Sequence, residues 1–266
     1  MGWIEALFLG IIQGITEFLP VSSSGHLELG KVLLGMQGEE NITFTVVVHG
    51  ATILSTIVVF RTYIAKLFTG FVKWEWNQET HYIAKIALSM IPAVIVGLLL
   101  EEQLESLFDG NLLLVGSMLL VTATLLGFTF YAKPRLEGVS YKNAFIIGIA
   151  QAFAILPGVS RSGATIATGL LLGTKKEETA AFSFLMVIPV VFGANVKKVI
   201  DVSSEAIETS SSEAIMPLII GFIAAFFVGW LACSFMLKIV KNGKLIWFSV
   251  YCAVVGVTAI IVSFIQ

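Results

Sequence analysis

Apolar residues run along this chain in long blocks, and polar residues break them at few points. A helix crossing a bilayer needs roughly 20 apolar residues. Six blocks meet that length, at about 44–60, 82–100, 112–131, 179–196, 215–237 and 245–265. Two further apolar regions, 1–35 and 141–173, are interrupted near their middles. In the first, Pro20 and Gly25 bracket Ser22, Ser23 and Ser24; in the second, Pro157, Gly158 and Gly163 bracket Ser160, Arg161 and Ser162. Proline ends a helix and glycine permits unusual dihedrals. Each half is too short to span alone. The pattern therefore predicts two re-entrant helical hairpins that enter and leave by the same face.

The two hairpins are copies of each other. Under an ungapped shift of 138 residues, Gly10, Ile11, Gln13, Val21, Ser22, Ser24 and Gly25 fall on Gly148, Ile149, Gln151, Val159, Ser160, Ser162 and Gly163, seven of the sixteen positions from 10 to 25. Further on, Leu33, Leu34 and Gly35 meet Leu171, Leu172 and Gly173, and Phe44 meets Phe182. The chain thus reads as a single membrane domain, 1–266, made of repeat 1 (about 1–131, hairpin 1–35) and repeat 2 (about 139–266, hairpin 141–173). Each repeat is one hairpin plus three spanning helices. Three crossings is odd, so the second copy must sit upside down relative to the first. The expected fold is an all-α integral membrane protein, an inverted-topology repeat with six transmembrane helices plus two re-entrant helical hairpins.

Composition agrees. Hydrophobic residues make up 57% of the chain and charged residues 13%, against about 25% charged in soluble domains. The net charge of -2 offers nothing to a nucleic acid. Cys233 and Cys252 both lie in apolar segments and read as small core residues, with no disulfide framework. Glu5 and Glu17 interrupt the first apolar stretch, which has no basic n-region, so it does not read as a removable signal peptide.

Charge placement orients the bundle. The face opposite the N-terminus receives Arg61, Lys66, Lys73, Lys133, Arg135, Lys142, Lys175, Lys176, Lys238, Lys241 and Lys244. The face holding the N-terminus receives Glu101, Glu102, Glu105, Asp109, Asp201, Glu205, Glu208 and Glu213, with Lys31, Lys197 and Lys198 as its bases. Basic loops stay in the cytoplasm. Both termini are therefore expected outside. The first hairpin then dips in from the outer face and the second from the cytoplasm. Residues 201–214 read as an outer loop without chemistry.

Polar groups at membrane depth are costly, about 2.5–3.5 kcal/mol for Arg or Asp at a helix centre. Here they gather in the hairpins. Gln13 and Glu17 are four apart and share a helix face. Beyond the Pro20 break, Ser22, Ser23 and Ser24 can cap a new helix, with His26 in its first turn. In the second hairpin, Gly158 to Gly163 is a glycine-flanked turn opening a helix, and backbone N–H groups at such a turn bind anions. Arg161 adds a planar fork suited to phosphate oxygens, and Ser160, Ser162 and Thr165 add hydroxyls. Together these read as a phosphate cradle. Each residue also has a plainer reading: serines and threonines bond back to their own helices or glue helices together, His26 is an interhelical hydrogen-bond donor, Arg161 pairs with Glu17 for structure alone, and Gln151 is structural; His49, early in a spanning helix, is a further candidate for the cavity.

The run from Gln13 to His26, Gln-Gly-Ile-Thr-Glu-Phe-Leu-Pro-Val-Ser-Ser-Ser-Gly-His, resembles the first signature of the bacterial undecaprenyl-diphosphate phosphatases, the bacitracin-resistance family. Pro157 to Thr165, Pro-Gly-Val-Ser-Arg-Ser-Gly-Ala-Thr, is similar to that family's second signature. Many members carry Glu where this chain has Gln13. The resemblance implies hydrolysis of undecaprenyl diphosphate to undecaprenyl phosphate and inorganic phosphate, which recycles the lipid carrier of peptidoglycan synthesis and confers bacitracin resistance. It implies a divalent metal, Mg2+ or Ca2+, in a bacterial plasma membrane enzyme. The expected partners are a polyprenyl diphosphate lipid and the bilayer, with no nucleic acid and with a homodimer as the candidate assembly.

On this reading Glu17, Ser23, His26 and Arg161 are catalytic. Gln13, Ser22, Ser24, Ser160, Ser162 and Thr165 bind substrate, and Glu17 holds the metal or acts as general base. The attacking group stays open between Ser23 with His26 as its base, His26 itself, and water activated by His26. The site is expected to open to the outer face. The rival class is a polyprenyl-phosphate transporter or flippase on the same inverted repeat.

Overall fold

A computed structural model describes residues 1–36, 42–100, 103, 111–133, 137–205 and 215–265. The described residues are helical almost throughout. The first apolar region forms α1 (Trp3–Phe18) and α2 (Ser23–Leu33). Then come α3 (Ile42–Val59), α4 (Arg61–Phe71), α5 (Gln78–Leu99) and α6 (Leu112–Phe128), the last continued by a 3-10 turn over Thr129–Tyr131. The second interrupted region forms α7 (Tyr141–Phe153) and α8 (Arg161–Leu171). Last are α9 (Lys176–Glu205), α10 (Ile215–Asn242) and α11 (Ile246–Ile265).

Five helices are long and apolar enough to cross a membrane, and six if the bent pair α3–α4 counts as one span. Five of the expected spanning blocks overlap these five helices, and the sixth, 44–60, falls on the bent pair. One expected loop is a helix instead: Arg61 and Lys66 lie on α4, bent by 76° from α3. Leu67 and Gly70 of α4 are buried while Phe68 is 67% exposed, and Trp74 and Trp76 beyond it are exposed. Such an amphipathic turn of helix with aromatic neighbours suits the membrane–water interface. The expected outer loop 201–214 is also shorter, because α9 stays helical to Glu205. Residues 206–214 lie outside the described residues, as do Glu101, Glu102, Glu105, Asp109 and Arg135.

The two halves interlock. The largest helix contacts pair α1 with α10, α6 with α11, α3 with α10 and α5 with α7. Glycines allow the closest approaches. A Cβ on Gly10 would lie 2.6 Å from the Gly221 carbonyl oxygen, and one on Gly148 would run into the carbonyl of Ser89. Gly10 and Gly148 are the matched positions of the two hairpins, so each hairpin's first helix uses the same residue to press against a long helix of the other half. The main core fills the space between them with Phe18, Phe182, Phe184, Met186 and Met236. Phe18 meets Phe184 edge to face at 5.7 Å between centroids, a preferred aromatic geometry. Outward faces carry exposed Leu98, Leu99, Phe235, Val254 and Phe264, as lipid contact requires.

Candidate active site

Both breaks are built from the same parts. Ser22 caps α2 by accepting from the Gly25 N–H at 3.3 Å, and Ser160 caps α8 by accepting from the Gly163 N–H at 3.1 Å. Ser22 and Ser24 hydroxyls are 3.3 Å apart, and so are those of Ser160 and Ser162. The turns place their positive φ at different positions. Gly158 takes φ +91°, a left-handed conformation that suits glycine. Its counterpart under the 138-residue shift is Pro20, whose ring holds φ near −65°. The positive φ falls instead on Ser22, at 70°. A non-glycine residue there costs on the order of 1–3 kcal/mol, and such strain gathers at functional sites.

The breaks touch. A Cβ on Gly25 would lie 3.4 Å from Cα of Gly158, and one on Gly163 would lie 3.3 Å from Cβ of Pro20. Ser162 donates to the Leu19 carbonyl at 3.2 Å, and the Ser160 N–H donates to Thr122 at 2.9 Å. The N-termini of α2 and α8 therefore converge. Two positive dipole ends facing one space favour an anion there.

Glu17 sits between them, 9% exposed. Arg161 donates from Nη2 to its Oε1. Ser23 donates from Oγ to Oε2 at 2.7 Å, and Gln13 donates from Nε2 to the same oxygen at 2.9 Å. His49 brings Nε2 to 3.9 Å from Oε2. Its Nδ1 lies 2.8 Å from the Thr45 carbonyl, which can only accept, so Nδ1 carries the hydrogen. Two atoms are left over: Arg161 Nη1 and Gln13 Oε1 are buried without hydrogen-bond partners among the described residues. A charged donor left unpaired at this depth is costly, and a phosphate oxygen would satisfy it. The cleft beside the pair is lined by Glu17, Thr52, Thr56, Arg161, Phe184 and Val187, among others.

The predicted residues do not all meet. Gln13, Glu17, Ser23 and Arg161 form one connected group. His26 and Ser23 are not hydrogen-bonded to each other. His26 Nδ1 lies 2.8 Å from the Ser22 carbonyl and Nε2 lies 2.8 Å from the Tyr251 hydroxyl. The imidazole facing Glu17 is that of His49. Thr165 turns away from the cleft, donating to the Arg161 carbonyl at 2.8 Å and pairing with Ser183 at 2.6 Å. Thr52, Thr56 and Tyr251 carry no sequence signal that separates them from other residues of apolar helices.

A metal would find a sparse donor set. Among the described residues, no three His, Cys, Asp or Glu side chains group as a preformed site. Glu17 offers a carboxylate, and Gln13 Oε1 is a buried acceptor still lacking a donor or cation. One carboxylate and one amide oxygen fit an ion that keeps its waters and takes substrate phosphates as ligands, the habit of Mg2+.

Comparison with known proteins adds a family. The family model described as "Bacitracin resistance protein BacA" matches residues 6–258. A protein of Christiangramia forsetii named undecaprenyl-diphosphatase is 56% identical over 268 residues, covering 100% of both chains. One of that name from Bacteroides fragilis is 55% identical over the same length and coverage. One from Methanosphaera stadtmanae is 37% identical over 281 residues, covering 98% of each chain.

Proposed function

We propose that this chain, which belongs to the bacitracin resistance protein BacA family, is an undecaprenyl-diphosphatase. It is a multi-pass membrane enzyme that hydrolyses undecaprenyl diphosphate to undecaprenyl phosphate and inorganic phosphate. That reaction returns the lipid carrier to cell-wall synthesis and confers bacitracin resistance. The observation that carries this reading is the division of labour on Glu17: Oε2 holds the Ser23 hydroxyl and Oε1 holds Arg161. A transporter of polyprenyl phosphate has no use for a hydroxyl poised on a carboxylate, so the hydrolase is favoured over the flippase.

Ser23 is the nucleophile in this proposal. Its Oγ forms a bond to the terminal phosphorus while Glu17 Oε2 takes its proton. The bond from that phosphorus to the bridging oxygen breaks, and undecaprenyl phosphate leaves. Water then bonds to the phosphorus as the bond from phosphorus to Ser23 Oγ breaks; His26 takes the water's proton, Glu17 returns its own to Oγ, and inorganic phosphate leaves. Arg161 keeps Nη2 on Glu17 and offers Nη1 to the equatorial oxygens, where charge gathers in phosphoryl transfer. The first N–H groups of α2 and α8 add donors to the same oxygens. Ser22 and Ser160 serve as caps that aim those amides, and Ser24 and Ser162 brace them; Thr165 braces α8. A divalent cation held by Glu17 and Gln13 Oε1 would neutralise diphosphate charge.

The surrounding fold is proposed as the inverted repeat: six spans and two re-entrant hairpins, termini outside, the cleft opening to the outer leaflet. Matched packing of α1 on α10 and α7 on α5 supports this, as do the matched caps and the bias of lysine and arginine to one face.

Purified protein in detergent, given undecaprenyl diphosphate with no second compartment, should release inorganic phosphate. EDTA should lower that rate by about tenfold or more, and Mg2+ or Ca2+ should restore it. Absence of release from folded, metal-supplied protein would overturn the hydrolase reading.

A further inference from the structure

The last helix grips the first hairpin at two consecutive residues. Cys252, fully buried, donates from Sγ to the Pro20 carbonyl at 3.4 Å. Tyr251 meets His26. The two rings stack with centroids 5.6 Å apart and planes 15° from parallel. The phenol oxygen lies 2.8 Å from Nε2. At the other end of the imidazole, Nδ1 lies 2.8 Å from the Ser22 carbonyl oxygen. A carbonyl only accepts, so Nδ1 carries a hydrogen. In the neutral ring Nε2 then holds the lone pair, and the phenol hydroxyl donates to it. Ser22 is itself held in the left-handed φ of the break, so the carbonyl that sets this tautomer belongs to the hairpin's own turn.

We propose that Tyr251 positions His26 and relays a proton to it. Its hydroxyl, donating to Nε2, holds the imidazole in the neutral Nδ1–H tautomer, and passes its own proton to Nε2 as it takes the proton of the attacking water. This rests on the reading that His26 accepts a proton during hydrolysis. A free imidazole in a first helical turn rotates about its side-chain bonds and exchanges tautomers. Hydrogen bonds at both nitrogens and a stacked phenol remove that freedom. Because Cys252 is anchored to the Pro20 carbonyl, Tyr251 is fixed relative to the same break that carries Ser22 and Ser23. Tyr251 is 45% exposed, which leaves water a path to the phenol oxygen that donates to Nε2. The arrangement has the logic of an oriented base in which a third group sets the ring.

The chain holds three histidines, so ring-15N-labelled protein gives few signals, and His26→Gln assigns those of His26. In the wild type, His26 is expected to show a protonated Nδ1 and an unprotonated Nε2. Tyr251→Phe keeps the stack and removes the donor. It should move the His26 Nε2 signal towards tautomer averaging and lower kcat by about tenfold with KM within about twofold. Tyr251→Leu, which also loses the stack, should lower kcat further. Two results would overturn the proposal: a wild-type His26 protonated at Nε2, or a Tyr251→Phe variant with unchanged ring signals and kcat. If His26→Gln hydrolyses substrate at the wild-type rate, the catalytic reading of His26 fails. The nitrogen signals distinguish that failure from failure of the hold by Tyr251.

Discussion

Replacing Glu17 by Gln is expected to lower kcat for phosphate release by about three orders of magnitude. The substitution changes little volume but breaks three relationships at once. The base that accepts the Ser23 proton at 2.7 Å becomes an amide that cannot take it. The oxygen facing Arg161 becomes either a weaker acceptor or an NH2 group that opposes the guanidinium. The Gln13 amide, which donates to Oε2 at 2.9 Å, loses its charged acceptor. Breaking a buried ion pair from one side costs about 3–5 kcal/mol, because the remaining charge is left uncompensated. The melting temperature in detergent must therefore be followed beside the rate. A folded Glu17→Gln protein with kcat within tenfold of wild type would remove Glu17 from the chemistry.

Arg161→Lys separates function from structure more cleanly. A lysine still neutralises Glu17, so the fold should hold and the melting temperature should change little. What disappears is the fork. Arg161 spends Nη2 on Glu17 and keeps Nη1 free and buried, so one side chain serves carboxylate and phosphate together. A single ammonium nitrogen cannot reproduce that planar geometry. The expected loss in kcat is about a hundredfold, the scale of removing one positioned donor from a transition state. Near-normal kcat in Arg161→Lys would mean that the unpartnered nitrogen has no part in catalysis. The two substitutions act on one connected group, so their combined effect should fall well short of the product of the single effects.

The sequence announces the hairpins because proline, glycine and serine punctuate apolar runs that otherwise have no reason to break. It also announces the caps, since Ser22 and Ser160 recur at matched positions. Their partners are harder to read. Ser23 and His26 share a turn of α2, which suggests a pair. Yet Ser23 reaches back across the break to Glu17, and His26 turns to a tyrosine 225 residues away. No local pattern encodes a contact of that span. Thr52 and Thr56 sit in an apolar helix where back-bonded polar residues are ordinary, and only packing brings them to the cleft, whereas His49, legible as a cavity residue, reaches Glu17. α4 is hidden for a different reason. Arg61, Lys66 and Lys73 look like loop charges, although Ile64, Leu67 and Phe71 lie at helical spacing among them. Pro20 occupies the position of the other hairpin's left-handed glycine, and here the positive φ falls on Ser22.

What the two facing breaks are for is tested most directly by trapping the phosphorylated protein from rapidly quenched turnover and locating the phosphate by mass spectrometry. A phosphoryl group is expected on Ser23, lost in Ser23→Ala and in Glu17→Gln. Phosphate found on His26, or turnover at full rate in Ser23→Ala, would contradict this expectation.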